Sequence, residues 1–197
     1  MIPLPLMIQM VYWRYLLITA LVFSKMLYCS SVWANTSFLN VNKLPSIQNF
    51  ACRIVTNTRK YDHVTPLLLE LNWLPVREQL RYRDTVLAYK CQNGLAPQYL
   101  MDKFSKRSCI HNRDTRARDS LQIPLFRTKT GQRSFIFQGT NIWNNLDDDL
   151  KQRTSLTLFK RALRDSLLER LSMTFTVNGK RQDEIFFFAK TRRNLIF

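Results

Sequence analysis

The sequence has few residues that end helices or form turns. Only 4 of its 197 residues are glycine and 7 are proline. Because an all-β protein needs turn residues at short intervals, this scarcity favours long helices. Hydrophobic residues make up 46% of the chain and charged residues 22%, which is enough apolar surface for a core and argues against wholesale disorder. We predict a mainly α fold of the helical-bundle kind, with room for a short strand or hairpin near residues 121–137.

The sequence also lacks the common catalytic signatures. It contains no GxxxxGK[ST], GxGxxG, HExxH or GxSxG motif, which removes the usual phosphate-binding, metalloprotease and hydrolase patterns. The one carboxylate cluster, Asp147–Asp149, has no third acidic partner from a separate element, and acidic residues of this kind suit the start of a helix. We predict that the chain is not an enzyme and has no cofactor, no metal site and no small-molecule substrate.

Cysteine and histidine are too few and too widely spaced for a zinc site. The cysteines lie at positions 29, 52, 91 and 109, and the histidines at 63 and 111. No CxxC pair occurs, so the cysteines are expected to be small buried hydrophobes or inert thiols. This usage indicates a reducing compartment, the cytoplasm or the nucleus.

Acidic residues are scarce, and what remains is a strong positive charge. Thirty Lys and Arg against fourteen Asp and Glu give a net charge of +16. Residues 1–52 contain no acidic residue, whereas residues 101–133 contain nine basic residues and three acidic ones. Such a field attracts polyanions, although a generally basic, solvated surface is the simpler interpretation. We expect the 101–133 segment to lie along a phosphate backbone.

The predicted nucleic-acid contacts are basic side chains on one helix and in the segment that follows it. Arginine makes bidentate contacts with phosphate and stacks on exposed bases. The expected partner is RNA, or single-stranded or duplex DNA, bound through its backbone; we do not expect a membrane partner. The nine residues are Arg77, Arg81, Arg83, Lys103, Lys106, Arg107, Arg113, Arg116 and Arg118.

Apolar residues recur at intervals of three and four, which predicts six helices. These are expected over residues 8–31, 39–55, 63–71, 75–93, 97–104 and from 154–155 to 171. In the third, Thr65 is the expected N-cap and Pro66 the first helical residue. The stretch 135–146 fits a helix better than a strand, with Gly139 at a close contact.

The 75–93 helix has a clear predicted orientation. Val76, Leu80, Leu87 and Cys91 share one face, which should pack in the core. The opposite face should point into solvent, and it carries Arg77, Glu78, Arg81, Asp84 and Thr85.

Two interpretations of the N-terminus stay open. Residues 15–23 are apolar enough for the core of a signal peptide, with Val32 and Ala34 at a cleavage site and a glycosylation sequon at Asn35. However, the first basic residue is Arg14, so the usual positive start is missing, and charged residues interrupt the run expected of a membrane span. A packed amphipathic helix explains the same residues.

Three strings of the sequence resemble a known family. They resemble the region that follows the palm in reverse transcriptases of LINE-type, non-LTR retrotransposons, over about residues 16–171. Residues 1–15 and 172–197 do not match. The strings are LVFSKMLYCSSVWANTS (21–37), QNFACRIVTNTRKYDHVTPLLLELNWLPVREQLRYRDTVLAYKCQNGLAPQYL (48–100) and GTNIWNNL (139–146).

This resemblance implies a helical, thumb-side and C-terminal region that helps to hold template RNA and target DNA. The palm motif Tyr/Phe-x-Asp-Asp is absent, so no catalytic residue of the family can be assigned. We expect a non-catalytic fragment with a residual RNA- or DNA-binding surface. Two alternatives remain: the end of a longer RNA-directed DNA polymerase, which an upstream palm in the same frame would favour, or a secreted or membrane-associated protein with residues 1–34 as the targeting segment.

Overall fold

A computed structural model describes residues 4–110 and 119–177. The chain is mainly α-helical, as predicted, and no strand occurs in the described ranges. A π-helical segment (Ile18–Phe23) follows α1, and a 3₁₀ turn spans Arg107–Cys109. The helices are α1 (Leu4–Leu17), α2 (Ser24–Leu27), α3 (Ser30–Trp33), α4 (Phe38–Val41), α5 (Leu44–Thr56), α6 (Val64–Glu70), α7 (Val76–Gln92), α8 (Gln98–Met101), α9 (Lys129–Gln132), α10 (Phe135–Asn144), α11 (Asp148–Lys151) and α12 (Leu156–Val177).

The described residues divide into two compact units. The first unit draws on residues 1–28, 38–79 and 166–197, and the second on residues 29–37 and 80–165, as far as each is described. Each unit has buried apolar side chains of its own.

The core of the first unit forms around α5 and α6. Ala51, Cys52 and Val55 of α5 are buried with Leu68 of α6 and with Trp73. The Trp73 ring is contacted by the N-terminal segment, whose Tyr15 and Phe23 rings lie 5.6 and 4.6 Å from it. The five buried side chains therefore form one apolar cluster to which the first helix is anchored by aromatic contacts.

A side-chain amide fixes the corner between α6 and α7. Gln48 is buried, and its Nε2 donates to Leu74 O (2.8 Å) while its Oε1 accepts from Val76 N (2.9 Å). The corner contains Asn72 at a positive φ of 55°, so its backbone cannot continue a helix. Gln48 thus supplies the hydrogen bonds that the interrupted helices cannot provide.

The first helix is continuous from α1 through the π segment to α2. Its inward side packs on the first-unit core, whereas Tyr12, Trp13, Leu17 and Leu21 are exposed on the other side. The segment Gln9–Leu27 is 19 residues long and, by length and composition alone, apolar enough to cross a membrane, and only 6% of it is buried. The helix ends before the predicted residue 31 because Tyr28 is extended (φ −61°, ψ 131°), and Cys29 after it has left-handed backbone angles (φ 47°).

The core of the second unit forms around Tyr89 of α7. The Tyr89 ring stacks on Phe159 of α12 at 4.1 Å and lies 6.4 Å from the Trp143 ring. Its hydroxyl donates to Arg153 O at 2.6 Å, so the one polar atom of this buried ring is satisfied. Burial of the ring and satisfaction of its hydroxyl together hold α7 against the start of α12.

The predicted outward orientation of Asp84 and Thr85 is wrong. Asp84 is only 3% exposed, and Ser31 and Asn35 lie beside its carboxyl group. Thr85 is also buried, and its hydroxyl donates to Arg81 O at 2.7 Å. The segment 29–37 belongs to the same unit and covers this face of α7, which the periodicity of one helix could not reveal.

The structure refines three other local predictions. His63, not Thr65, occupies the N-cap position of α6. The segment 121–137 forms no strand within its described residues; it makes one isolated bridge, between Lys106 and Leu121, and then two helices. The helix preferred for 135–146 is confirmed as α10, and an added Cβ at Gly139 would lie 3.3 and 3.4 Å from the Phe135 and Phe104 rings.

Candidate nucleic-acid interface

Backbone hydrogen bonds join the two ends of the basic segment 107–120 in the second unit, and these joined ends are the base of the loop. Arg107 N donates to Ser120 O (3.0 Å), and Gln122 N donates to Ser105 O (2.8 Å). These bonds bring together two stretches of chain that flank the arginine-rich sequence 107–120. The loop is therefore closed at its base by backbone hydrogen bonds of the antiparallel kind.

Asn144 completes this base. Its Oδ1 accepts from Leu121 N (2.8 Å), and its Nδ2 donates to Leu121 O (2.9 Å). Leu121 is fully buried, so both of its backbone groups would lose water without a replacement partner. The Asn144 amide takes the place that a neighbouring strand would have in a sheet.

The position of Asn144 follows from how α10 is built. Ser134 caps the helix by accepting from Phe137 N (3.4 Å). Gly139 leaves room for the ring of Phe104, which meets the Phe135 ring edge-on at 5.7 Å. These contacts set α10 beside the chain that leads into the loop, and Asn144 is its last residue.

Five of the predicted contact residues lie in the described part of the second unit. Arg81 and Arg83 are exposed on α7, Lys103 and Lys106 are exposed before the loop, and Arg107 is half-buried at its base. Lys106 and Arg107 are brought to the closed base by the hydrogen bonds described above.

Arg77 lies in the first unit and is already engaged there. Its guanidinium lies 4.5 Å above the Phe38 ring and hydrogen-bonds to Asn42 Oδ1. The predicted exposure of Arg77 agrees with the structure. A phosphate contact would have to share the donors of this guanidinium with Asn42, or replace that bond.

Three predicted contacts, Arg113, Arg116 and Arg118, lie outside the described residues. Three further basic residues, Arg127, Lys129 and Arg133, are exposed after the loop but are not among the nine predicted from the sequence. Their membership of the basic 101–133 segment was the signal that could have placed them in the site.

Basic residues outnumber acidic residues in the second unit by about two to one. Its sequence contains seventeen Lys and Arg but only eight Asp and Glu. One of the eight is Asp84, where burial raises the pKa of the carboxyl and the neighbouring Ser31 and Asn35 side chains oppose that rise. Asp84 Oδ1 and Asn35 Nδ2 are buried without a hydrogen bond. This carboxyl therefore does not face an approaching polyanion.

The acidic run lies at a helix start, as expected of its residue type, but the helix is α11, which was not among those predicted. Asp147 is in the N-cap position of α11, and Asp148 and Asp149 follow in its first turn. Asp148 is paired with Lys151 at 2.9 Å. No group of three or more His, Cys, Asp or Glu that could hold a metal ion occurs among the described residues.

Two of the four cysteines, Cys52 and Cys91, are buried thiols. Burial raises the pKa of the Cys52 thiol to about 11, with Glu70 adding to the rise and Arg53 opposing it. Burial also raises the pKa of the Cys91 thiol to about 11. Reactive cysteines have lowered pKa values, so these two are inert in the folded chain, whereas Cys29 and Cys109 are exposed free thiols.

Comparisons with protein-family models, with curated proteins and with solved structures find no match to this chain. The resemblance to LINE-type reverse transcriptases therefore stays a prediction from the three sequence strings.

Proposed function

We propose that this chain is a non-catalytic, retrotransposon-derived fragment that binds RNA or DNA through phosphate contacts. The basic surface of its second unit makes these contacts, with Arg81, Lys103 and Lys106 as exposed cations and Arg107 at the base of the loop. The three sequence strings support the retroelement origin, and the charge distribution supports the binding.

The observation that supports this proposal most directly is the pair of backbone hydrogen bonds that closes the loop base. A flexible basic segment gains affinity only after losing conformational entropy, whereas a segment closed at its base has lost part of that entropy already. The closure at Ser105–Arg107 and Ser120–Gln122 gives the chain between them two fixed ends. The sequence between these ends contains three further arginines.

The salt dependence of RNA binding tests the proposal. Each phosphate neutralised by a cation releases counterions and adds about 0.7 to the slope of log affinity against log salt for single strands. Lys106→Ala and Lys103→Ala should each weaken binding and each lower the slope by up to about that amount. The measurement is fluorescence anisotropy of a labelled single-stranded RNA across a salt series.

Lys151→Ala is the matched control, because that lysine is already paired with Asp148. It should leave the slope unchanged. Wild-type affinity that does not respond to salt, or no detectable RNA binding, would contradict the proposal.

The first helix favours a second candidate function, association with a membrane surface. The hydroxyls of Thr19 and Ser24 donate to carbonyls of their own helix, Tyr15 O and Ala20 O. Arg14 turns towards α5, where it donates to Ile54 O at 3.4 Å. The exposed side chains of this helix are therefore mostly apolar, with Gln9 and Lys25 as exceptions, and the net charge of +16 is complementary to anionic lipids.

Vesicle co-sedimentation tests this second candidate. Wild-type protein should bind vesicles of phosphatidylcholine with phosphatidylserine, and Leu17→Glu should reduce that binding. Leu158→Glu changes an equally exposed leucine of the second unit and should have no effect. Equal binding by both variants would show that the first helix does not insert.

A further inference from the structure

A tight turn at Arg59–Asp62 separates α5 from α6. Asp62 N donates to Arg59 O (3.2 Å), and Arg59 N donates to Asp62 Oδ2 (2.9 Å). The Arg53 guanidinium in turn donates to Asp62 O (3.3 Å). The turn is therefore held by three hydrogen bonds, and its side chains are presented from a fixed backbone.

The chain enters this turn in a defined direction. α5 ends at Thr56, and its C-cap residue Asn57 has left-handed backbone angles (φ 55°) and donates its N–H to Arg53 O. Thr58 N also donates to Arg53 O, at 3.2 Å. These bonds cap the helix, so the turn projects directly from the end of α5.

Lys60 and Tyr61 occupy the two central positions of the turn, and both are exposed. Tyr61 is 90% exposed, and no Phe, Trp or Tyr side chain whose exposure is described is more exposed. Two cations, Arg59 and Lys60, precede it directly. The one acidic residue of the turn, Asp62, has a carboxylate oxygen directed at the Arg59 N–H.

This combination matches the way proteins bind single strands. An aromatic ring stacks on an unpaired base of any sequence, while nearby cations contact the phosphates on either side. A duplex offers its phosphates but not the faces of its bases, which are stacked on each other. A ring held by a fixed turn loses little conformational entropy when a base stacks on it.

We propose that the Arg59–Asp62 turn is a stacking site for an unpaired nucleotide of single-stranded RNA or DNA. The Tyr61 ring contacts the base, and Arg59 and Lys60 contact the flanking phosphates. The inference rests on the proposed nucleic-acid function, but it names the preferred form of the ligand and a site outside the nine residues predicted from the sequence.

The test compares a labelled 20-nucleotide poly(U) strand with an RNA duplex of the same length, using the full chain and fluorescence anisotropy. Tyr61→Ala should weaken single-strand binding by about fivefold or more, the loss typical of one base–aromatic stack. It should change duplex binding by less than about twofold, and it should leave the salt slope unchanged because no phosphate contact is lost.

Two variants make the result specific. Tyr61→Phe keeps the ring and should bind as the wild type does. Tyr99→Ala removes another exposed tyrosine (72%) and should have no effect on single-strand binding. The residue before it, Gln98, donates a hydrogen bond to the acidic Asp102 at 2.7 Å.

Each outcome has a distinct meaning. If the wild type binds the single strand and Tyr61→Ala binds it equally well, the stacking site is wrong while the proposed function stands. The stacking site is also wrong if Tyr61→Ala weakens strand and duplex binding equally, or if Tyr61→Phe loses as much affinity as Tyr61→Ala. If the wild type binds neither probe, the proposed function fails and the stacking site fails with it.

Discussion

Replacing Asn144 by aspartate tests whether its amide holds the base of the basic loop. The two side chains have nearly the same shape, but an ionised carboxylate can only accept hydrogen bonds. It could still accept from Leu121 N, but it could no longer donate to Leu121 O, which is now 2.9 Å from Asn144 Nδ2. A fully buried carbonyl would therefore lose its partner and face a negative oxygen.

The expected cost follows from these two changes. An unsatisfied buried polar group costs about 1–3 kcal/mol, and the repulsion between the carboxylate and the carbonyl adds to it, giving about 2–4 kcal/mol at pH 7. For a chain of this size such a loss lowers the melting temperature by about 5–15 °C. Circular dichroism at 222 nm measures it.

Acid provides an internal check on this reasoning. A protonated carboxyl can donate to Leu121 O again, so the folded state should raise the pKa of the introduced aspartate above its unfolded value of about 3.9. Stability is then fully present below that unfolded value and lost as pH rises through the folded one. The deficit of Asn144→Asp relative to wild type should therefore shrink between pH 7 and pH 4.

Asn145→Asp is the control, because Asn145 is the adjacent residue and is exposed. It should change stability by less than about 0.5 kcal/mol. The reasoning is refuted if Asn144→Asp melts together with this control, or if its deficit does not depend on pH.

Three further predictions concern buried groups. Because burial raises the pKa of the Asp84 carboxyl, the contribution of this group to stability is fully present below its ordinary pKa of 3.8 and is lost as pH rises through the folded pKa. Asp84→Asn should therefore raise the urea midpoint at pH 7, and a lower midpoint would contradict this. Cys52, with a pKa of about 11, should resist maleimide at pH 7.5 while the exposed Cys109 reacts, as mass spectrometry of labelled peptides would show; equal labelling would contradict its burial. Tyr89→Phe removes the hydroxyl that donates to Arg153 O and should cost about 1–2 kcal/mol in urea denaturation; an unchanged midpoint would show that this bond contributes nothing.

Much of the local structure was predictable because its causes are local. The helical spacing of apolar residues predicted α5, α7, α10 and α12 to within a few residues, apart from the late start of α5 and the later end of α12 at Val177. Pro45 lies in the first turn of α5, and Gly94, just beyond the end of α7, has a positive φ of 70°. Backbone conformations of this kind depend on one residue and its immediate neighbours, so the sequence alone specifies them.

The candidate interface was predictable only in part. Charge and sequence position were enough to select Arg81, Lys103 and Lys106, which are exposed in the structure. They did not show that Arg77 is engaged with Phe38 and Asn42, because that contact joins residues more than thirty positions apart. The same limit hid the loop base, whose hydrogen bonds join residues on either side of the basic sequence.

The sequence by itself determined the helical class, the position of most helices and the excess of positive charge, since composition and short-range spacing decide all three. Only the tertiary structure decided which polar side chains are buried. Gln48 reaches a corner 26 residues away, and Asn144 reaches a backbone segment 23 residues away. Asp84 is covered by a segment that precedes it by about fifty residues. Hydrogen bonding over such separations depends on how the segments pack, and no local pattern of residues records it.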